Sequence, residues 1–513
     1  MLVIASPFIP TGADIRPFSA EICLIGGIAA NLMVPFLTRR SNYACAITTL
    51  VALFAGLISL TSSGSGPAAS GEHLRGLLMF DSTAHAWKLI LLLFVMGVVI
   101  LWMGHSGRSL RQGDGPEFFV LLLGATLGMC LMASTTHLLM IVMAIAMASL
   151  PSYLLAGFAK SNRRAAEASL KYVLFGAVTS AMMIYAVSFL YGWYGTLQLA
   201  DLGDKLPTAG MAAISVALIG VMIGIGFKIS AVPLHFWCPD VFEGATIEVT
   251  TFLSVASKGA ALILLMRIVQ AMNISHLAGI IGILGALTAT VGNTAAFTQK
   301  NIKRLLAYSS IAQAGYMLCL ISAIGGNASA DSIPQALLLY LAIYAVMNLG
   351  AFSIAAVVIR QNGEELENFA GLGRSSPLVA GSFFCCLISL IGLPPFAGFG
   401  AKVNVLWVPA HGGLPGELLV VVIVLNTVLS AFYYFRIIRA MYLEPANDRS
   451  RTRKLFARDP LGVLLGSVCA AGLVILFFAF GPLYSALAHQ SATPAVSVTT
   501  AILKPAPPAP GLS

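Results

Sequence analysis

Charged residues are scarce in this chain of 513 residues, at 10% of the total, whereas a soluble domain carries about 25%. Hydrophobic residues make up 58%, and the mean hydropathy is +0.90. This balance excludes a soluble globular protein, a disordered chain and a nucleic-acid-binding protein. Apolar runs reach about 20 residues, enough to span a bilayer, whereas the strands of a water-filled porin alternate apolar and polar residues. The composition therefore predicts an all-α polytopic membrane protein.

Cysteine and histidine patterns typical of metal centres are also missing. The 8 cysteines include no CxxC pair and no Cys/His ligand spacing. Neither a zinc site nor an iron–sulfur cluster is therefore predicted in this chain. The N-terminus lacks a basic stretch before its first apolar residues, so a cleaved signal peptide is not expected.

Hydropathy predicts about fourteen membrane spans of roughly 18–25 residues, joined by short loops. A Pro/Ala-rich tail, 491–513, is predicted to be disordered. The predicted spans are 18–37, 43–60, 84–104, 117–134, 136–158, 168–191, 209–231, 246–272, 276–297, 303–322, 334–359, 376–400, 417–442 and 460–482.

The basic residues of the loops predict the orientation of the chain. Loops after odd-numbered spans hold 17 Lys and Arg residues, with Lys303 and Arg304 at the following span's start included, whereas even-numbered loops and the two termini hold 5, with Arg267 near a span end included. Cytoplasmic loops are enriched in Lys and Arg, so both termini are predicted to face outward. The net charge of +9 is thereby explained by topology and requires no anionic partner.

Three lysines are candidates for charges inside the membrane: Lys228 and Lys258 lie within predicted spans, and Lys402 lies just past the predicted end of span 376–400. The other basic residues in spans lie near span ends. A charged lysine at mid-bilayer costs about 2.5–3.5 kcal/mol and usually marks an ion or proton route. Removal from water disfavours the charged amine, so such a lysine can exchange a proton near neutral pH. Simpler explanations stay open: snorkelling for Lys228, a static hydrogen bond for Lys258 and a span boundary for Lys402.

No carboxylate is predicted at the middle of a span. Glu21, Glu117 and Glu248 start spans, and Asp240, Glu243 and Glu248 are expected at the surface or in a vestibule. The interior lysines are therefore either largely neutral or compensated by a partner subunit.

Two predicted spans look broken, one by Pro233 just past the end of span 209–231 and one by the pair Pro394 and Pro395 within span 376–400. Proline removes a backbone donor, and irregular backbone at membrane depth is tolerated where it is buried or lines a cavity. Interrupted helices in both halves of a chain point to a transport site, although ordinary proline kinks would look the same. His235, at the first break, suits either proton exchange or a structural role.

Neutral polar residues repeat at helical spacing and could carry a proton between the lysines. Single residues of this kind more often make interhelical hydrogen bonds. The candidate groups are Thr251, Ser254 and Lys258; Ser309, Gln313 and Tyr316; Tyr340, Tyr344 and Asn348; Asn426, Ser430 and Tyr433; and Thr288 with Asn293.

Five sequence stretches resemble the N type of the antiporter-like membrane subunits of bacterial proton-pumping NADH-quinone oxidoreductase, or respiratory complex I. This family is shared with the Mrp-type cation/proton antiporters. The stretches are Glu167 to Tyr172, Phe227 to Ala245, Ser257 and Lys258, Asn301 to Tyr316, and Gly392 to Phe399 with Lys402.

The resemblance implies fourteen helices with two inverted five-helix repeats, each containing a broken helix. The implied segments are a three-helix N-terminal part at 1–116, repeats at 117–275 and 276–445, a last helix within 446–490, and the tail. Lys228, Lys258 and Lys402 match the family's lysines that pass protons along a hydrated axis. NADH, FMN, iron–sulfur clusters and quinone would bind other subunits. The implied setting is the bacterial inner membrane, beside other membrane subunits of the complex.

Two positions depart from the family pattern. Ala146 stands where the family usually has the glutamate that pairs with Lys228, and Gln313 replaces a histidine. Glutamine can hydrogen-bond but does not carry a proton at neutral pH. Three functions therefore stay open: a proton-translocating subunit, a non-pumping structural subunit of the same complex, and an Mrp-type cation/proton antiporter.

Overall fold

A computed structural model describes residues 16–38, 41–62, 71–74, 76–105, 114–205, 211–272, 275–324, 332–411, 413–445 and 459–482. The predicted disordered tail and many of the basic loop residues lie outside this part of the chain. The described residues are mostly helical, as predicted. They also contain one short antiparallel hairpin, β1 (Gly71–His73) and β2 (Leu78–Phe80), in which Glu72 pairs with Met79.

The N-terminal segment contains three long helices and the hairpin. Helices α1 and α3 pack against α2, and all three contact the fourth helix, α4. Their bounds are α1 (Ser19–Leu37), α2 (Ser41–Ser62) and α3 (Ser82–His105).

The first predicted repeat contains one broken helix and one helix with a π-helical turn. The break lies between α8 and α9, and the π-helical residues Leu253–Ser257 connect α10 directly to α11. The bounds are α4 (Gly115–Ser134), α5 (Leu138–Ala156), α6 (Arg163–Tyr194), α7 (Leu199–Lys205), α8 (Met211–Ile229), α9 (Trp237–Gly244), α10 (Ile247–Phe252) and α11 (Lys258–Ala271).

The second predicted repeat has its break between α16 and α17. The predicted span 376–400 is therefore two helices, because the backbone leaves the helix at Gly392, where φ is 86°. The bounds are α12 (Ser275–Ala296), α13 (Ile302–Ile321), α14 (Ser332–Asn362), α15 (Leu372–Ser375), α16 (Pro377–Ile391), α17 (Ala397–Ala410), α18 (Leu414–Leu443) and the last helix, α19 (Pro460–Phe478).

The chain is a multi-pass membrane protein. In the described residues, 11 helices or continuous helical stretches are long and apolar enough to cross a membrane, and Val216–Ile229 and Pro377–Ile391 are shorter apolar helices. Each of the predicted spans overlaps a helix, but the total of fourteen membrane spans and the inverted repeats stay predictions.

The core of the bundle lies around α11, α13 and α14. Every residue in the hydrophobic window of Ile247–Ala271 is buried, whereas only 28% of the window in Ser19–Leu37 is buried. Asn301 caps the N-terminus of α13, because its side chain accepts hydrogen bonds from the backbone nitrogens of Lys303 and Arg304. Polar residues on these central helices are therefore shielded from lipid by the peripheral helices.

Candidate functional site

Lys228 lies in the last turn of α8, next to the first helix break. Its side chain is buried, with 1% of the residue exposed, so it does not snorkel to the surface. The ammonium nitrogen lies 5.6 Å from the Tyr153 ring centroid and 5.7 Å from that of Tyr172. It has no hydrogen-bond partner among the described residues. Lys228 thus contacts aromatic faces and has no carboxylate partner in this part of the chain.

The first break is held in place by side chains from other helices. Trp237 Nε1 donates a 2.9 Å hydrogen bond to the carbonyl of Phe227, and its indole stacks on Tyr172 with centroids 4.3 Å apart. The backbone nitrogen of Val232 donates to Thr288 Oγ1 at 3.0 Å. Backbone groups freed by the break are thereby satisfied inside the protein, as irregular backbone at membrane depth requires.

His235 lies in the same break, just after Pro233. It is 7% exposed, and its Nδ1 has no hydrogen-bond partner among the described residues. Its ring packs beside Phe236, with centroids 4.5 Å apart. The break thus holds a buried titratable side chain with one ring nitrogen open, and its role in proton transfer stays a prediction.

Lys258 begins α11, immediately after the π-helical turn. Its ammonium donates a 2.6 Å hydrogen bond to Ser310 Oγ on α13 and lies 3.5 Å from Cys238 Sγ on α9. The Phe242 ring centroid is 5.4 Å away. π-helical turns often occur at functional sites, and this one immediately precedes the lysine. Lys258 therefore links three central helices through a buried hydrogen-bond donor.

Lys402 lies on α17, just after the second break. Its ammonium donates a 2.7 Å hydrogen bond to the carbonyl of Ile391, at the end of α16. The Tyr316 ring centroid is 5.0 Å away. The lysine is 5% exposed, so it is an interior residue as well as the neighbour of a helix break. A Cβ at Gly392 would lie 2.6 Å from Lys402 Cδ, so this glycine makes room for the lysine.

Helix α13 carries polar groups from the neighbourhood of Lys258 to that of Lys402. Their side chains are buried and contact several neighbouring helices. The contacts are Ser310 with Lys258, Ser309 with Tyr434, Gln313 with Tyr340 and with the Leu390 carbonyl at 3.1 Å, and Tyr316 with Asn293 at 3.0 Å.

Three further polar residues, Tyr344, Asn348 and Ser254, were also expected to support this axis. Tyr344 reaches the carbonyl of Ser254 at 3.5 Å, a long contact, and Asn348 donates at 3.0 Å to the Tyr344 carbonyl of its own helix. The Ser254 hydroxyl donates at 2.7 Å to the Thr251 carbonyl. Asn348 and the Ser254 hydroxyl therefore bond within their own helices, and their proposed part in proton transfer stays a prediction.

Ala146 lies on an exposed side of α5. The α5 residue beside the Lys228 ammonium is Tyr153, about two turns further along the helix. The described residues contain no ion pair to Lys228, in keeping with the missing glutamate.

A buried ion pair in the N-terminal segment was not predicted from the sequence. Lys88 on α3 was counted among the basic residues near span ends, but it is fully buried, and its ammonium lies 2.6 Å from Glu21 Oε1 on α1. Glu248, expected at the surface or in a vestibule, is also fully buried. Hydropathy places such residues at helix starts but does not show which neighbouring helix covers them.

Asp240 and Glu243 lie in a half-exposed ionic cluster, as expected. Arg304 pairs with Asp240 at 2.9 Å and with Glu243 at 2.8 Å, and Lys171 pairs with Asp240 at 2.8 Å and with Glu167 at 2.9 Å. These residues line a cavity of about 200 Å³. In the described part of the chain, no group of three His, Cys, Asp or Glu side chains is placed to hold a metal ion.

Residues 135–430 match the family described as NADH:quinone oxidoreductase/Mrp antiporter, transmembrane. The chain is 37% identical to the NADH-quinone oxidoreductase subunit N of Anaeromyxobacter sp. (strain Fw109-5), over 89% of this chain and 93% of that protein. It is also 37% identical to a subunit N of Sorangium cellulosum (strain So ce56), over 93% of this chain and 97% of that protein.

Solved structures give the same picture of the fold. A chain of respiratory complex I from Thermus thermophilus superposes with a TM-score of 0.75 at 30% identity, covering 91% of this chain and 99% of that one. A chain of the Mrp complex from Dietzia sp. DQ12-45-1b superposes with a TM-score of 0.78 at 19% identity, covering 94% and 97%. At that identity the second likeness concerns the fold alone.

Proposed function

The chain belongs to the NADH:quinone oxidoreductase/Mrp antiporter family of membrane proteins, and we propose that it is a proton-translocating membrane-arm subunit of an NADH:quinone oxidoreductase. Similarity to subunit N proteins over nearly the whole chain favours this complex over a stand-alone antiporter. NADH, FMN, the iron–sulfur clusters and quinone would bind other subunits. The chain itself would perform no redox chemistry.

The observation that carries the proposal is that two buried lysines, Lys258 and Lys402, contact α13, while the third, Lys228, is buried at the first helix break. Lys258 bonds to Ser310 and Lys402 lies beside Tyr316, so both reach the same helix. Inserting each charged lysine costs about 2.5–3.5 kcal/mol, and the packed aromatic and polar surroundings keep lipid away. Ser309, Gln313 and their tyrosine partners would order water between the lysines, so that protons pass along the axis.

The proposed setting is the bacterial inner membrane, with both termini outside. Exposed apolar side chains on α5, α6 and α18 would face lipid or the other membrane subunits of the complex. The partners are thus the bilayer and neighbouring membrane subunits. No nucleic acid is involved.

Lys258→Ala tests whether protons pass between the buried lysines, an arrangement we call the lysine relay. The change removes the buried amine that donates to Ser310, so protons pumped per NADH should fall while the complex still assembles. Proton uptake and NADH oxidation would be measured together in inverted vesicles, with assembly checked on native gels. Lys160→Ala is the matched control, because the Lys160 side chain is 71% exposed. A natural proton-to-electron ratio in assembled Lys258→Ala would refute the relay.

A non-pumping structural subunit of the same complex is the second candidate, favoured by the absence of an ion-pair partner for Lys228 in the described residues. Ala146→Glu separates the two. The added carboxylate would raise the proton-to-electron ratio only if the rest of the axis conducts. If the natural chain already gives the full proton-to-electron ratio, the structural candidate is excluded.

An Mrp-type antiporter is the third candidate. A mild-detergent pull-down of the tagged chain, followed by mass spectrometry, would recover NADH-dehydrogenase and iron–sulfur subunits if the proposed complex is correct. Recovery of antiporter subunits alone, with cation-driven proton flux that needs no NADH, would favour the antiporter instead.

A further inference from the structure

The Glu21–Lys88 ion pair lies between α1 and α3, outside both predicted repeats. Its two charged groups are 2.6 Å apart, with side chains 4% and 1% exposed. Among the described residues, the Glu21 carboxylate oxygens and the Lys88 ammonium have no hydrogen-bond partner outside this pair. The Phe80 ring centroid lies 4.0 Å from the ammonium. The pair is therefore removed from water, lies against an aromatic ring, and receives no hydrogen bond from other described residues.

A pair of this kind is a poor device for fastening two helices. Taking both charges out of water costs more than their attraction returns unless further hydrogen bonds satisfy the remaining oxygens and protons, and apolar residues of similar size would pack the helices as well. Intramembrane ionisable residues more often serve ion or proton transfer. The missing hydrogen bonds are also what a group that gains and loses a proton needs, because the neutral forms are then not disfavoured by fixed partners.

Lys88 lies close to a vestibule at the predicted outer end of the bundle. Side chains on a helix point towards its N-terminus, and the Lys88 ammonium accordingly reaches Phe80, the residue before Asp81. Asp81 and Arg267 form a 2.8 Å ion pair in the wall of a cavity of about 280 Å³. His85, which is half-buried on α3, lies between Asp81 and Lys88 in the chain. It follows Asp81 by four residues and precedes Lys88 by three, so all three share one helix face.

The same part of α3 contacts α11, the helix that begins at Lys258. Trp87, next to Lys88, packs so tightly on α11 that a Cβ at Gly259 would lie 2.2 Å from its ring. Gly259 directly follows Lys258. Helix α3, which carries Lys88, is therefore in direct contact with α11 at the residue after Lys258. Trp87 Nε1 is buried without a hydrogen-bond partner among the described residues, which leaves a donor for a bound water molecule at this contact.

We propose that Glu21 and Lys88 form a further proton-exchange site, which connects the lysine relay with the outer vestibule at Asp81 and Arg267. The inference rests on the proposed proton-translocating function. In the exchange step a proton moves from the Lys88 ammonium to the Glu21 carboxylate, giving a neutral amine and a neutral carboxylic acid. The acid then releases its proton towards the vestibule, and the amine takes up the next proton from the relay side.

The test is the charge-neutral double variant Glu21→Gln/Lys88→Met in the assembled complex. Removing both partners leaves no unpaired buried charge, so assembly should survive. Because protons would cross the pair and Lys258 in series, the double variant should lose protons per NADH to the same extent as Lys258→Ala. The matched control is Glu117→Gln/Lys160→Met, which neutralises an ion pair whose side chains are 62% and 71% exposed and should leave the ratio unchanged.

The outcomes separate this inference from the proposed function. A natural ratio in the double variant, together with a loss in Lys258→Ala, would show that the pair is static and overturn the inference alone. Natural ratios in both would overturn the proposed function as well.

If the double variant does not assemble, chemical labelling of the natural complex tests the inference instead. A hydrophobic carbodiimide reacts with protonated carboxyl groups in apolar surroundings, and peptide mass spectrometry would locate the adduct. Modification of Glu21 during NADH oxidation is expected. An unmodified Glu21 would mean a permanently ionised pair and would overturn the inference.

Discussion

Gly392 is the position at which the structure makes its sharpest mutational prediction. Its φ of 86° lies in the left-handed region, and a Cβ there would meet Lys402 Cδ at 2.6 Å and Cγ and Cε at 3.3 Å. Gly392→Ala therefore changes the proposed relay without removing a titratable group. The lysine keeps its amine, but its stem must move away from the Ile391 carbonyl to which it donates at 2.7 Å.

The expected cost follows from two contributions. A left-handed backbone costs a residue with a Cβ about 1–2 kcal/mol. Displacing the lysine from its rotamer costs about 0.5–1.5 kcal/mol. The sum of about 1.5–3.5 kcal/mol is comparable with the hydrogen bond of a charged donor, about 1.5–3 kcal/mol, so the bond to Ile391 should break while the bundle stays folded.

The assay compares proton uptake with NADH oxidation in inverted vesicles that contain equal amounts of assembled complex. Gly392→Ala should lower protons pumped per NADH towards the value for Lys402→Ala. Gly413→Ala is the control for backbone strain, because Gly413 has φ 76° and nothing within 4 Å of an added Cβ. Gly381→Ala, within α16 and equally open, is the control for adding a methyl group to a helix.

Two results would refute this reasoning. Assembled Gly392→Ala that pumps with the natural ratio would mean that the position of Lys402 does not matter. An equal loss in Gly413→Ala would assign the effect to backbone strain and would remove the link to the lysine.

Three further predictions concern packing and surface charge. Gly259→Ala should lower the melting temperature of the detergent-purified complex, because the new Cβ meets Trp87 at 2.2 Å and overpacking costs about 1–3 kcal/mol; Gly279→Ala, open to 4 Å, should not. Arg304→Gln should also lower it, because Asp240 and Glu243 lose a shared cation at 2.9 and 2.8 Å; an unchanged melting temperature would show that Lys171 suffices. Glu117→Gln should change it little, since exposed ion pairs contribute about 0–1 kcal/mol, and a large drop would contradict the exposed position.

The membrane class, the approximate spans and the two helix breaks were predictable from the sequence. Length, apolar composition and proline are local properties, and each acts on the backbone within a few residues. Charge within an apolar stretch is equally local, which is why Lys228, Lys258 and Lys402 could be singled out and are indeed buried. The resemblance to a family supplied their proposed common role, which hydropathy does not contain.

The partners of these residues were decided by the tertiary structure. Lys258 bonds to Ser310, which is 52 residues away in the chain, and Lys228 lies beside two tyrosine rings with no carboxylate partner among the described residues. Glu21 and Lys88 each looked like a residue near a span end, yet helix packing buries them together. A hydropathy pattern shows how far along a helix a residue lies, but the helix that faces it depends on how the whole bundle packs, and this contact decides whether a charge is paired, solvated or free to exchange a proton.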